Sequence, residues 1–314
     1  MNAQSARMNE LNAMHLAVAF STGIHLPPTI DTHLEEALRH VLDHPGSLIR
    51  PRMVYLVATT YGLEEAPARD LAVALEYFHT ASLIFDDLPC MDDATERRGV
   101  SCVHFEFGEA EAILAALALI NRAYALSWRA ISAASRECQT RAPAYIEQRL
   151  GVNGLLNGQS LDLHYAALPH NRETTERIAR GKTVSLIQLT LVLPAMLGGA
   201  SDRELQLLER IALYWGLAYQ MTDDLKDVLG SKANAGKTVA RDLLLGRPNV
   251  ASAMGIPGAV ERLTRFIDLG DRTLARLVQA RLGLSFLEKL RSSLEEELVL
   301  ITGNLCEMPL GVRP

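Results

Sequence analysis

From residue 32 onward apolar side chains recur at intervals of three and four, in segments such as HLEEALRHVL, ARDLAVALEYFHTASLIFDD, EAEAILAALALINRAYALSWRAI and RELQLLERIALYWGLAYQMTDDLKDVL. That spacing lays an apolar stripe along a helix. Alternation of period two between hairpin signals is absent, and Pro and Gly fall between the periodic blocks, at Pro45-Gly46, Pro67, Pro169, Gly198-Gly199 and Gly246-Arg247-Pro248. The pattern predicts an all-α chain. Several segments are apolar on more than one face, which suits central elements of a large helical bundle, with functional side chains projecting into its interior. Segment 261–300 reads as surface helix, serving packing and solvent contact. No low-complexity linker or charge block divides the chain, so a single domain over 1–314 is expected, with 1–30 a loosely packed N-terminal extension.

Composition narrows the function classes. The 314 residues carry 31 basic and 37 acidic side chains, a net charge of −6, which argues against a nucleic-acid footprint or a basic membrane-binding face. Any bound anion must then be held by a local cluster of cations. Cys90, Cys102, Cys138 and Cys306 are scattered without a C-x-x-C pair, as in a reduced cytoplasmic protein with no zinc site or disulfide framework. The first twenty residues mix polar side chains among the apolar ones and include Glu10, unlike a signal peptide. The longest apolar run, AILAALALI at 112–120, is about half the ~18 residues that a membrane span requires, so no span is expected.

Two acidic clusters carry the chemical signal. Asp86-Asp87-Leu88-Pro89-Cys90-Met91-Asp92-Asp93 closes a strongly apolar helix that Pro89 must bend or end. Four carboxylates beside a helix C-terminus repel one another and the partial negative charge of that end, so a cation is the natural remedy. Asp223-Asp224-Leu225-Lys226-Asp227 follows a second apolar helix and sets Asp223 and Asp227 on one face. Either cluster alone reads as a solvated face. Together, their hard oxygens suit Mg²⁺, an ion that keeps several waters and shares its ligands with substrate phosphates. The spacing does not match a calcium loop. Cations reinforce the reading: Arg97-Arg98 follow the first cluster, Gly236-Lys237-Thr238 the second, and Lys182-Thr183 opens another apolar helix. The chain has only five lysines, and two of them stand in Lys-Thr pairs, although each pair also reads as a plain helix-end charge.

These residues resemble the trans-isoprenyl diphosphate synthases, all-α enzymes that join isopentenyl diphosphate to an allylic diphosphate. The resemblance spans roughly 40–250 in matching order: Pro-Gly-x-x-x-Arg-Pro (45–51), FDDLPCMDD (85–93), Arg97-Arg98-Gly99, Gly158-Gln159-Ser160-Leu161-Asp162, Lys182-Thr183, and Tyr219-Gln220-x-x-Asp223-Asp224-x-x-Asp227 with Gly236-Lys237. It implies a bundle of the isoprenoid synthase type around a central cavity, and a homodimer. Asp86, Asp87, Asp92, Asp223, Asp224 and Asp227 would hold three Mg²⁺ ions with the allylic diphosphate. Arg97, Lys182 and Lys237 would bind that diphosphate, with Gln159 and Asp162 lining the same site. Isopentenyl diphosphate would sit on Arg50, His79 and Arg98. His79 precedes Asp86 by two helical turns, so one helix can present both to one cavity, although by itself a lone histidine there reads as core.

The implied chemistry is electrostatic. Neutralising the diphosphate makes it a better leaving group, the allylic carbon–oxygen bond ionises, and the isopentenyl double bond attacks the cation. The departed pyrophosphate is the expected base for the final proton. Thr183 and the Gln220 carbonyl would stabilise the cation, and an apolar tunnel would exclude water. Ala81, Ser82, Phe78 and Tyr77, on the helix that ends in Asp86, would set product length. Ala81 is small where the farnesyl-length enzymes carry an aromatic residue, and Phe78 lies one turn deeper, which points to geranylgeranyl diphosphate.

Three positions depart from the family pattern. Ser47 stands where a Lys usually opens the isopentenyl site, Phe85 where His precedes the first aspartate, and Arg247 where a Lys is usual. One lost ammonium–diphosphate contact costs about 1.5–3 kcal/mol unless a cation such as Arg52 compensates. A class I terpene cyclase and a catalytically weak regulatory subunit are the alternative readings, the first disfavoured by Arg50, His79 and Arg98 together, the second favoured by Ser47.

Overall fold

The computed structural model describes residues 14–97, 99–233 and 246–288. It is all-α. The helices are α1 (14–21), α2 (Thr32–Asp43), α3 (Ile49–Thr60), α4 (Glu65–Asp87), α5 (Val103–Phe107), α6 (Glu109–Ser132), α7 (Arg136–Leu150), α8 (Leu155–Leu163), α9 (Arg172–Ala179), α10 (Ser185–Leu197), α11 (Asp202–Ala233), α12 (Val250–Met254) and α13 (Ile256–Ala280). A π-helical turn, Arg180–Val184, joins α9 to α10. A hairpin of two-residue strands, too short to show period-two alternation, pairs β1 (Glu96–Arg97) with β2 (Val100–Ser101) and turns through Gly99 at φ +79, a conformation that favours glycine.

Local chemistry sets the helix ends. Asp31 accepts from the His33 amide at the start of α2, and Asn171 accepts from the Thr174 amide at the start of α9. α4 stops at Asp87 because Leu88 precedes Pro89 and is driven to extended backbone, φ −58 and ψ 151. Pro67, expected between blocks, lies inside the first turn of α4, where its missing N–H has no helical acceptor to lose. Pro143 and Pro194 also sit inside helices, α7 and α10.

The chain forms two compact units, one of 1–142 with 194–199 and one of 143–193 with 200–314. In the first, α4 packs between α3 and α6. Residues 71–79 of α4 are buried without interruption, as its many-sided apolar pattern requires. Residues 14–23, expected to be loosely packed, are instead docked. Phe20 is buried against Tyr77 with ring centroids 5.0 Å apart, the Tyr77 hydroxyl donates to the Phe20 carbonyl at 2.5 Å, and Arg122 donates to the Gly23 carbonyl at 2.6 Å. α6 is long and apolar enough to cross a membrane by length and composition, although no uninterrupted apolar run reaches that length; 39% of its 18-residue window is buried.

In the second unit α11 packs on α13, α9 and the π-turn. The part of 261–300 that is described is no mere surface element: α13 buries Leu263, Phe266 and Ile267 in a core with Leu217, Met221 and Leu225 of α11, and its Leu274 and Leu277 are buried as well.

Candidate active site

The first acidic cluster keeps its place at the end of α4. After Leu88 the chain folds back, so that the Asp92 amide donates to the Asp86 carbonyl at 2.9 Å and the Ala94 amide to the Asp87 carbonyl at 3.1 Å. Asp92 is thereby brought beside Asp86, and both are half-buried. Asp87 is 5% exposed and paired: Arg97, delivered by β1, donates to Oδ1 and Oδ2 from Nε at 2.8 and 2.9 Å and to Oδ1 from Nη2 at 2.6 Å. Burial lowers the Arg97 pKa, but the hydrogen bond and charge of Asp87 and the charge of Asp86 outweigh it, so the net shift is upward.

Arg50, in the first turn of α3, reaches the buried His79 of α4, with Nη1 and Nε2 2.8 Å apart. A guanidinium only donates, so His79 accepts on Nε2 and carries its proton on Nδ1. The structure brings these two residues together. Arg98 and Lys237 lie outside the described residues.

In the second unit a close helix approach assembles four side chains. A Cβ on Gly158 of α8 would stand 2.3 Å from the Lys182 nitrogen and 2.7 Å from the Gly181 Cα, so α8 meets the π-turn backbone to backbone. π-Turns recur at functional sites because the extra residue shifts the side-chain register. Here Lys182 donates to Asp162 Oδ2 at 3.0 Å, and Arg247, 9% exposed, lies 3.5 Å from the same oxygen. Arg247, notable in the sequence only as a departure, thus belongs to this cluster. Gln159 Nε2 is buried and makes no hydrogen bond among the described residues.

Thr183, next in the turn, donates to Gln220 Oε1 of α11 at 2.6 Å. Gln220 Nε2 donates to Asp224 Oδ1 at 2.8 Å, and the Val250 amide donates to Asp224 Oδ2 at 2.8 Å. The second acidic cluster therefore splits. Asp223 is exposed and Asp227 half-buried with an unbonded buried Oδ2, whereas Asp224 is 4% exposed and turned toward α12. Asp224, expected among the metal ligands, has both oxygens engaged by N–H donors.

The length-determining candidates also separate. Ala81 and Phe78 are buried, and Phe78 meets Tyr124 of α6 edge-on at 4.9 Å. Ser82, half-buried, donates to the His79 carbonyl. Tyr77 is committed to Phe20, which removes it from any tunnel lining.

Among the described residues no three of His, Cys, Asp and Glu converge as a ready-made cage. The hard oxygens of Asp86, Asp92, Asp223 and Asp227 fit in kind an ion such as Mg²⁺, which retains waters and draws ligands from substrate phosphates. Asp227 Oδ2 is buried without a hydrogen bond among the described residues, so a cation or water would satisfy it.

Comparison with known proteins places the chain in a family. Residues 31–266 match the polyprenyl synthetase family. Geranylgeranyl pyrophosphate synthase 11, chloroplastic, of Arabidopsis thaliana is 34% identical over 244 residues, 76% of this chain and 68% of that protein. The crystal structure of geranyltranstransferase from Thermotoga maritima superposes with a TM-score of 0.72 at 26% identity, covering 92% of this chain and 99% of that one. A geranyltransferase from Helicobacter pylori, solved with magnesium and isoprenyl diphosphate, has a TM-score of 0.74 at 24% identity over 98% of this chain and 99% of its own. The family match, these relatives and the fold together define an isoprenoid synthase, and within that class a short-chain trans-prenyltransferase. The chain belongs to the polyprenyl synthetase family.

Proposed function

We propose that this enzyme condenses isopentenyl diphosphate with an allylic diphosphate and releases geranylgeranyl diphosphate. The observation that carries the reading is the π-turn, which holds Lys182 against Asp162 and Thr183 against Gln220 in consecutive positions. One residue offers a cation to the departing diphosphate, and the next offers oxygen dipoles to the carbocation left behind. Asp86 and Asp92, and Asp223 and Asp227, would hold Mg²⁺, three ions in all, whose charge would further neutralise the diphosphate. Asp87 acts through Arg97, and Asp162 holds Lys182 and Arg247 extended until the diphosphate takes them over. Gln159 contributes its unbonded Nε2 donor to the same group. Lys237 completes the contacts to that diphosphate, and Arg98 belongs with the isopentenyl diphosphate site.

Isopentenyl diphosphate is placed on the Arg50–His79 pair, with Arg52 offsetting the cation lost at Ser47. Phe78 with Tyr124 closes the prenyl tunnel beyond the small Ala81, leaving room for a C20 product. The protein acts as a homodimer through α6, whose Leu114, Leu117, Tyr124 and Trp128 are 49%, 50%, 50% and 63% exposed and fall at intervals of three, seven and four residues, which keeps them on one face of the helix.

Incubation of the purified protein with Mg²⁺, isopentenyl diphosphate and labelled farnesyl diphosphate tests the reading. Geranylgeranyl diphosphate supports it. A cyclised hydrocarbon points to a terpene cyclase, and absence of turnover by folded protein to a regulatory subunit.

A further inference from the structure

We propose that Asp224 is a positioning residue that fixes the polarity of the Gln220 amide, and not a ligand of the magnesium ions; the proposal rests on the prenyltransferase reading above. Three hydrogen bonds run in series through it. Thr183 Oγ1 donates to Gln220 Oε1 at 2.6 Å, Gln220 Nε2 donates to Asp224 Oδ1 at 2.8 Å, and the Val250 amide donates to Asp224 Oδ2 at 2.8 Å. Asn249 adds a fourth contact, its Nδ2 donating to the Asp224 backbone carbonyl at 3.0 Å while its Oδ1 caps α12 through the Ala251 and Ser252 amides.

An ionised carboxylate only accepts, whereas a primary amide donates from one end and accepts at the other. With Asp224 behind it, Gln220 must direct Nε2 inward and Oε1 toward Thr183. Were the amide to turn over, N–H groups with partial positive charge would replace the oxygen that faces Thr183, beside a centre where positive charge develops. Asp224 is suited to this work by burial as well. It is 4% exposed, whereas its neighbour Asp223, about 100° around the same helix, is exposed. Adjacent aspartates of identical chemistry therefore hold different posts, Asp223 outward and Asp224 inward.

The test uses the full chain with Mn²⁺ and inorganic pyrophosphate as probe, bound Mn²⁺ being counted by electron paramagnetic resonance alongside steady-state kinetics. D224N is expected to bind as many Mn²⁺ ions as the native protein. It keeps both KM values within about twofold and loses about tenfold to a hundredfold in kcat, the scale for misplacing one preorganised dipole. D223N is expected to lose bound Mn²⁺. The double variant Q220E/D224N restores the series with the charge moved one turn. The new carboxylate accepts from Thr183 on one oxygen and from the new amide on the other, and that amide's oxygen accepts from Val250. The double is expected to regain at least about fivefold in kcat over D224N.

Loss of Mn²⁺ by D224N to the extent seen for D223N overturns the proposal, as does an unchanged kcat in D224N or a double variant no better than the single. If D224N does not fold, the double carries the test alone through its Mn²⁺ count. Failure of the double to fold also counts against the proposal, because it keeps every contact that the carboxylate is said to exist for. A native protein that neither elongates farnesyl diphosphate nor binds Mn²⁺ with pyrophosphate overturns the enzymatic reading instead.

Discussion

Arg97 grips Asp87 through both carboxylate oxygens, three N···O distances falling between 2.6 and 2.9 Å, so the second aspartate of the first cluster meets substrate already neutralised. Asp87 is buried, while the Arg97 side chain is 35% exposed. Removing the anion leaves a half-solvated guanidinium without its bidentate partner. Asp87→Asn is therefore expected to lower the unfolding free energy by about 1–2 kcal/mol at neutral pH, less than for a fully buried pair because water reaches Arg97. Urea unfolding of native and variant protein checks this, and an unchanged midpoint would show the pair to be energetically idle.

The backbone contact of α8 with the π-turn leaves no room for a methyl group. Gly158→Ala is expected to push the two elements apart, costing about 1–3 kcal/mol by overpacking, and to separate Gln159 from Lys182. Activity should fall more steeply than stability, since sub-ångström placement of charge governs ionisation. The measurement is kcat against thermal midpoint for Gly158→Ala, with an alanine substitution at exposed Asn157 as the local control.

What the sequence made legible was whatever depends on spacing alone. The helical period of 65–87 and the stop before Pro89 are local properties, and they put the first acidic cluster at a helix end where it is found. What it concealed depends on contacts between distant segments. Nothing in Arg180–Val184 announces a π-turn, because the extra residue is accommodated by packing on α8 and α11. Asp223 and Asp224 are chemically alike, and only the arrival of α12, 26 residues beyond Asp224, turns one of them into an internal acceptor. Tyr77 reads as the edge of a tunnel stripe until Phe20, 57 residues earlier, accepts its hydroxyl on the backbone carbonyl and packs against its ring. The two-residue hairpin that carries Arg97 is too short for any periodicity to register.

Product length should follow the Phe78–Tyr124 contact. Phe78→Ala removes the ring that meets Tyr124 and is expected to shift the main product beyond geranylgeranyl diphosphate. Ala81→Phe places an aromatic ring one turn nearer Asp86 and is expected to shift it back to farnesyl diphosphate. Chromatography of the dephosphorylated products separates these outcomes. If Phe78→Ala still yields the native product, the floor of the tunnel lies elsewhere.

The apolar stripe on α6 gives a solution test of self-association. Trp128→Asp sets a charge at the most exposed of its aromatic positions. Loss of one central aromatic anchor is worth about 2 kcal/mol or more, so the dimer dissociation constant should rise on the order of thirtyfold. Sedimentation equilibrium of native and variant protein checks this, and a native protein that sediments as a monomer at every concentration would remove α6 as a dimer surface.

The start of α11 predicts an acid limit to stability. Ser201 and Glu204 form a reciprocal cap: the Ser201 amide and hydroxyl donate to Glu204 Oε2 at 2.9 and 2.7 Å, and the Glu204 amide donates to Ser201 Oγ at 3.4 Å. Arg281, just past the end of α13, donates to Glu204 Oε1 at 2.8 Å. Burial pushes the Glu204 carboxyl up, but the Arg281 and Ser201 hydrogen bonds outweigh it and hold the pKa down at about 2, against 4.5 for the free side chain. A depressed carboxyl pKa stabilises the folded state fully above the unfolded value, and that stabilisation fades as pH falls from about 4.5 toward 2. Its size is at most about 3 kcal/mol and less in practice, because Arg281 is 37% exposed. Arg281→Ala raises the folded-state pKa toward 4.5, so the variant should be less stable than the native protein at pH 7 and the gap should narrow as the pH is lowered toward 2. Denaturant unfolding at pH 7, 4 and 3 reads that gap directly. A gap that stays constant across those conditions would show that Arg281 acts by packing and not through the Glu204 charge.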